Sequence, residues 1–299
     1  MSTPASAALR IVATGPLSLV QDAGRLGHAH VGVSPSGAAD RGAYALANRL
    51  LGNPETAAAI EVLLGGLVVE TIGRGLWLCV TGSPCPVAID GRGVGSHTAF
   101  FAPAGSTVEL GSPASGLRSY LGVRGGVAVD PVMGSRSRDT LSGLGPAPLQ
   151  EGHLLPVGAS PEIGLAPVDV APRRVRVDGA ESVRVVRGPR DRWLADPQRL
   201  VTQRWVVSGR SDRVGLRLTA LDGAGLERAA PDELPSEGVW RGAIQVPPSG
   251  DAVVFGPDHP VTGGYPVIGV VLDADLDRLA QLRPGTHVRF SWAGPARVP

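Results

Sequence analysis

At 299 residues, 43% hydrophobic and 18% charged, the chain has the composition of a globular protein with one large or two ordinary domains. A net charge of +1 with no basic block excludes an electrostatic footprint for nucleic acid or a membrane surface, and no apolar run approaches the roughly 18 residues of a membrane span. All 28 basic side chains are arginine, which excludes a lysine Schiff base, a phosphate-loop lysine and a biotin attachment point on this chain.

The N-terminal MSTPASAALR lacks a charged segment followed by an apolar core, so a cytoplasmic location is expected. After a strand-like run at 17–20, residues 20–30 form a polar, glycine-punctuated loop carrying Asp22 and Arg25. His28 and His30 alternate as strand neighbours would, but they have no carboxylate partner nearby. Cys79 and Cys85 are too few and too poorly spaced for zinc and read as buried thiols, so no metal site is expected. The apolar positions of 44–51 recur at helical spacing, with Asp40 placed to cap the helix and Gly52-Asn53-Pro54 to end it.

From residue 58 the pattern changes to short apolar runs at 60–64, 67–71, 76–80, 87–89, 107–110 and 119–123, separated by Gly, Pro, Ser and Asp. Such spacing predicts a mostly β domain, a barrel or a sandwich. Arg118 and Tyr120 alternate along the last of these runs. They face either a ligand or ordinary amphipathic surroundings. Between about 156 and 175 no period survives, and the Pro-, Ala- and Gly-rich stretch with Pro172-Arg173-Arg174 reads as a connection between domains at 1–165 and 175–299. Strands resume at 182–186 and 205–208.

Ser211, Arg213, Gly215 and Arg217 take alternate positions in the run 211–218. On a strand this projects two guanidinium forks the same way, toward a carboxylate or phosphate or along a solvent-facing edge. The densest stretch is GAIQVPPSGDAVVFGPDHPVTGGYP at 242–266. Its two β-branched runs flank a proline-led turn that closes a hairpin. The following loop places Asp258, His259, Thr262 and Tyr265 within a few residues of Gly263 and Gly264, whose freedom to take positive φ suits close backbone approach by a ligand. A strand at 267–272, a short helix at 273–282 with acidic residues in its first turn and a last strand at 287–292 complete the chain.

VQDAGRLGHAHVGVSPSGAAD, ANRLLGNPETAAAIEVLLGG, GLRSYLGVRGG, GSRS, VVRGP, SGRSDRVGLRL, GAIQVPPSGD, TGGYPVIGVV and RLAQLRPG stand in order along nearly the whole chain. In these it resembles the carboxyltransferase family that includes allophanate hydrolase subunit 2, KipA and the C subunit of 5-oxoprolinase. The resemblance implies a mostly β fold of two cyclophilin-like β-barrel domains with a few short helices. It also implies a KipI-like partner, which is the B subunit of 5-oxoprolinase, and a LamB/YcsF-like partner, which is its A subunit. Where the family carries an Asp-Arg-Gln-Thr-Thr-like run, this chain has Asp258-His259-Pro260-Val261-Thr262, so the family's arginine is replaced.

The activity the resemblance implies first is ATP-dependent opening of 5-oxoproline to glutamate within a complex of three different subunits, ATP belonging to the complex and not to a motif of this chain. On that reading Asp40, Asp258, Thr262 and Tyr265 are acid/base or donor candidates. Arg25, Arg118, Tyr120, Ser211, Arg213, Arg217, Gln245, Gly263 and Gly264 are substrate-binding candidates. The alternatives are the carboxyltransferase part of a urea carboxylase, with biotin carried by another protein, and a non-catalytic partner of a KipI-type kinase inhibitor.

Overall fold

Short Val-, Ile- and Leu-rich runs interrupted by glycine become strands over most of the computed structural model, which describes residues 7–168, 170–172, 180–229 and 234–294. Its residues cluster in two units. The first takes the described residues of 1–25, 36–139 and 143–176, and the second takes those of 26–35, 140–142 and 177–299. Residues 26–35 and 140–142 thus join the second unit, which a single division at 165–175 does not include. Arg173 and Arg174 of the expected connection lie outside the described residues.

In the first unit, β1 (Ala8–Thr14) and β2 (Leu17–Gln21) precede helix α1 (Arg41–Leu50). There follow β3 (Ala59–Leu63), β4 (Leu67–Ile72), β5 (Leu76–Gly82), β6 (Val87–Ile89), β7 (Arg92–Val94), β8 (Ala99–Ala102), β9 (Thr107–Leu110), β10 (Arg118–Val123) and β11 (Leu154–Pro156). They form a six-stranded sheet in the order β11-β1-β4-β9-β6-β7 and a five-stranded sheet in the order β2-β3-β10-β5-β8. Leu9, Ile11, Ile60, Val62, Val69, Leu78, Val80, Val108 and Leu121 share one core.

Strand β10 is buried at all six positions, because it is central in its sheet and both of its faces are covered. Leu121 and Val123 point into the core, while Tyr120 packs with Tyr44 of α1 on the other face. Gly122 lets the helix come this close, since a Cβ there would lie 3.0 Å from Leu51 Cδ1 and 3.2 Å from Ala47 Cβ. The expected helix is present, and the Asp40 side chain accepts from Ala43 N to cap it. Cys79 and Cys85 are buried free thiols, and burial pushes the Cys79 pKa up to about 12.

In the second unit, β12 (Glu181–Arg187), α2 (Arg199–Thr202), β13 (Trp205–Val207), β14 (Gly215–Ala220) and β15 (Glu237–Gly238) come first. Next are β16 (Ala243–Gln245), β17 (Ala252–Phe255), β18 (Thr262–Gly263), β19 (Val267–Val271), α3 (Asp273–Leu279) and β20 (His287–Trp292). Seven of these strands close a barrel in the order β12-β19-β16-β17-β14-β13-β20, sealed by parallel pairing of β12 with β20. Val183, Val185, Leu218, Ile244, Val254, Ile268 and Phe290 fill it. Trp205 is fully buried there, its indole N–H donating to Leu200 O at 3.0 Å. The mostly β expectation and the hairpin at 242–255 are borne out, with Gly250 at φ 78 in the turn between β16 and β17.

Two local expectations are overturned. His28 precedes a 3-10 turn at Ala29–Val31 and His30 lies inside it, so they are not strand neighbours. The run at 211–218 becomes a strand only from Gly215, because Asp212 Oδ1 accepts from Val214 N and Gly215 N at 2.9 and 3.0 Å and holds the preceding residues in a turn.

Helix α3 is tied to β12 through Asp275. Arg184 donates from Nε and its backbone N to Oδ2 at 2.9 and 2.8 Å, and Arg278 Nη2 lies 2.7 Å from Oδ1. Burial pushes this carboxyl up, but the arginine and backbone hydrogen bonds outweigh burial and hold its pKa at about 2, below the ordinary 3.8. A depressed carboxylate pKa contributes stability that is complete above the unfolded value and is lost as pH falls through the folded one. Lowering the pH from about 4 to about 2 is therefore expected to reduce the urea midpoint. In Asp275→Asn, which has no charge to lose, that part of the decline disappears, and identical pH profiles for the two proteins would contradict the assignment.

Candidate functional site

Asp258 follows β17 and is completely buried. It receives a bidentate fork from Arg213, Nε to Oδ2 at 2.8 Å and Nη2 to Oδ1 at 2.9 Å, and two further bonds from Thr140 N and Oγ1 at 2.8 and 2.7 Å. Ser34 Oγ donates to the neighbouring Pro257 O at 3.3 Å. Residues 257–258 are therefore the anchor on which segments 26–35 and 140–142 enter the second unit. His259 is buried, with its ring 6.0 Å from that of Phe255 and Nδ1 2.6 Å from Pro260 O. The Arg213 fork is thus engaged with Asp258 and does not stand beside Arg217 on one strand face.

Arg217 has a different setting. In β14 it pairs with Val253 of β17, which pairs in turn with Gln245 of β16. Ala252, Val254, Ile244 and Val246 point into the barrel, so by strand alternation Arg217, Val253 and Gln245 form one row on its outside. Two strand spacings put the Arg217 and Gln245 backbones about 10 Å apart. Ser211 Oγ accepts from Arg217 N at 3.0 Å and steadies the start of this strand.

A two-stranded ribbon of β15 and β18 lies over the Gln245 end of that row. Gln245 is 4% exposed, and its Nε2 donates to Tyr265 O at 2.8 Å. A Cβ on Gly263 would fall 2.6 Å from the same Nε2, whereas one on Gly264 would meet nothing nearer than Leu234 O at 3.5 Å. Only glycine lets the ribbon rest on the glutamine amide. Neither glycine takes positive φ, contrary to expectation: Gly263 is in a strand, and its lack of a side chain serves close packing instead. Thr262, Gly264 and Tyr265 are exposed, Tyr265 at 44%. Arg217, Gln245, Gly263, Gly264 and Tyr265 are therefore brought to one side of the barrel.

In the first unit a buried carboxylate for which the sequence pattern gave no expectation gathers three of the expected residues. Glu61 of β3 stands directly opposite Tyr120 of β10. Its Oε2 accepts from Tyr120 Oη at 2.8 Å and from Ala39 N at 2.9 Å, and its Oε1 lies 3.4 Å from Arg118 Nε. Asp40 N donates to Tyr120 Oη at 2.7 Å, and Asp40 Oδ1 accepts from Ala43 N in the helix cap. Burial, then the charges of Glu61 and Asp40, push the Tyr120 phenol well above its ordinary pKa. The signal for Glu61 was its place inside the apolar run AIEVL.

Asp22 and Arg25 are also buried. Asp22 Oδ1 accepts from Ser135 Oγ and Ser137 Oγ, both at 2.6 Å, and Oδ2 accepts from Arg136 N at 2.6 Å, while Arg25 donates to Ser137 O. The GSRS segment is the other half of this clasp. Among the described residues no group of three or more His, Cys, Asp or Glu side chains is placed to hold a metal.

Residues 31–292 match the family model described as carboxyltransferase domain, subdomain A and B. The chain is 36% identical over 290 residues to the C subunit of 5-oxoprolinase from Escherichia coli (strain K12), covering 94% of this chain and 90% of that protein. It is 33% identical to the corresponding C subunit from Haemophilus influenzae, covering 91% and 86%. Urea amidolyase of Saccharomyces cerevisiae is 30% identical, and there the chain spans only 16% of the relative. Among solved structures, TTHA0988 superposes with a TM-score of 0.84 at 31% identity over 97% of this chain, which spans 57% of that one. The urea carboxylase of Kluyveromyces lactis gives 0.87 at 25% identity, with 28% of it spanned.

Proposed function

Since the chain belongs to the carboxyltransferase domain family with subdomains A and B, we propose that it is the C subunit of an ATP-dependent 5-oxoprolinase complex. The observation that carries this reading is the 36% identity to a C subunit of 5-oxoprolinase over 90% of that protein's length. The urea amidolyase match is both weaker and confined to 16% of the relative. The complex opens the lactam of 5-oxoproline to glutamate, and the partners of this chain in it are a KipI-like B subunit, together with a LamB/YcsF-like A subunit.

Opening this ring requires holding a carboxylate while charge develops on the neighbouring amide oxygen. The outer row of the second unit supports this: Arg217 offers a guanidinium fork, and the ribbon resting on Gln245, whose backbone lies about 10 Å from that of Arg217, offers the exposed Thr262 and Tyr265 hydroxyls and the Gly264 backbone. Arg25, Arg118 and Arg213, by contrast, are engaged with Ser137, Glu61 and Asp258.

This chain shows no recognisable phosphate site for ATP among its described residues. It has no lysine, the start of α1 is already capped by Asp40, and α3 carries Asp273 and Asp275 in its first turn, where a phosphate would be repelled. A biotinyl group likewise has no lysine to attach to.

The test is reconstitution. The purified chain alone is expected to release no glutamate from 5-oxoproline and ATP, and the chain with its KipI-like and LamB/YcsF-like partners is expected to release it stoichiometrically with ATP hydrolysis. Turnover by the chain alone would refute the division of labour. An inactive mixture of the three proteins, with carboxyl transfer to urea from a carboxybiotin carrier, would favour the urea carboxylase reading. Tight binding of a KipI-like protein with no turnover of either substrate would favour the regulatory one.

A further inference from the structure

Gln245 is a buried polar residue with a single described task, donation to a main-chain carbonyl in an exposed segment that carries the Thr262 and Tyr265 hydroxyls. The Tyr265 carbonyl can only accept, so the amide presents Nε2 to it, and the 2.6 Å approach of a Gly263 Cβ to that nitrogen shows that the ribbon sits directly upon it. From the other side, the row fixes Gln245 relative to Arg217 through Val253. One side chain therefore sets the height of the Gly263–Tyr265 backbone above the barrel and its distance from the guanidinium.

We propose that Gln245 is a positioning residue: it does not touch substrate but fixes the Tyr265 ribbon against Arg217, so that a small anionic amide spans the two. This rests on the reading above that the outer row is the substrate-binding face. The residue was expected to contact substrate directly. Its burial beneath Gly263 and its bond to Tyr265 O assign it the supporting role instead.

The tyrosines provide a readout independent of turnover. Tyr44 and Tyr120 are 3% and 0% exposed, while Tyr265 is 44% exposed, so tetranitromethane nitrates Tyr265 first, and peptide mass spectrometry follows its rate in the intact chain. Gln245→Met keeps the length of the side chain and removes the donor. Gly263→Ala keeps the donor and displaces it. Both variants are expected to change the Tyr265 nitration rate at least about threefold with Tyr44 and Tyr120 still protected. In the reconstituted complex both should raise KM for 5-oxoproline up to about tenfold with kcat nearly unchanged, the size of one lost neutral hydrogen bond.

Unchanged nitration in both variants overturns the proposal. Altered nitration with KM unchanged in an active complex also overturns it, because the ribbon then has no bearing on substrate. Altered nitration, with a wild-type complex that does not turn over 5-oxoproline but whose Tyr265 is protected by another small anionic amide such as allophanate, supports the positioning role and refutes only the choice of substrate.

Discussion

Asp258→Ala is expected to destabilise the second unit by about 3–5 kcal/mol, because it removes the buried carboxylate that the Arg213 fork engages. Asp258 is 0% exposed and accepts from the Arg213 fork and twice from Thr140, so the substitution also releases the segment at 140–142. Arg213→Ala should be damaging as well, though less so, since Thr140 still satisfies part of the carboxylate. Four of the five tryptophans, at positions 193, 205, 240 and 292, belong to this unit, so urea unfolding followed by indole fluorescence reads it directly. A double variant, Arg213→Met with Asp258→Leu, should recover much of the loss, as buried ion pairs replaced by apolar residues of similar volume often do. A shift below about 1 kcal/mol in Asp258→Ala would show that the buried pair is not the anchor of these segments.

Glu61→Ala is expected to cost the first unit a comparable amount, about 3–5 kcal/mol. It removes the carboxylate that engages Arg118, the Tyr120 phenol and Ala39 N at the entry to α1, all buried. Glu61→Gln keeps the shape and an acceptor and should cost less, about 1–3 kcal/mol, the range for a weakened charged hydrogen bond. Near-ultraviolet circular dichroism of the Tyr44–Tyr120 edge contact, with ring centroids 6.5 Å apart, follows the local packing, and urea titration gives the free energy. Equal stability of Glu61→Ala and wild type would rule out the cluster as a structural centre.

These two clusters mark where sequence reasoning succeeds and where it stops. Asp40 as a helix cap, the Pro247–Gly250 turn and the β-branched runs were legible because each is decided within a few residues, by a side chain reaching its own backbone or by a fixed φ. Arg213 was misplaced because local alternation suggested a strand, whereas Asp212 captures the next two amides and the real partner lies 45 residues away in Asp258. Thr140 is 118 residues from Asp258, and no local pattern carries that distance. Strand β1 escaped notice, although Leu9 and Ile11 are buried and Arg10 and Val12 exposed, because only seven residues carry its alternation. At the candidate site, Gly263 and Gly264 were singled out for backbone freedom, but Gly263 matters for the space it leaves above Gln245.

The parallel seam between β12 and β20 has a kinetic consequence. It joins Val183 to Phe290 and Val185 to Trp292, strands more than a hundred residues apart, so the barrel cannot close until almost all of its sequence is available. Loop-closure entropy is paid before this pairing returns any contact energy, which makes such topologies slow to fold. During synthesis β12 therefore waits with both edges open until β19 is made, and with one open until β20 follows, while the hairpin of β16 and β17 forms locally. The exposed arginines Arg184 and Arg187 on that waiting strand, and Glu181 at its start, are charges of the kind that discourage edge-to-edge association in the interval.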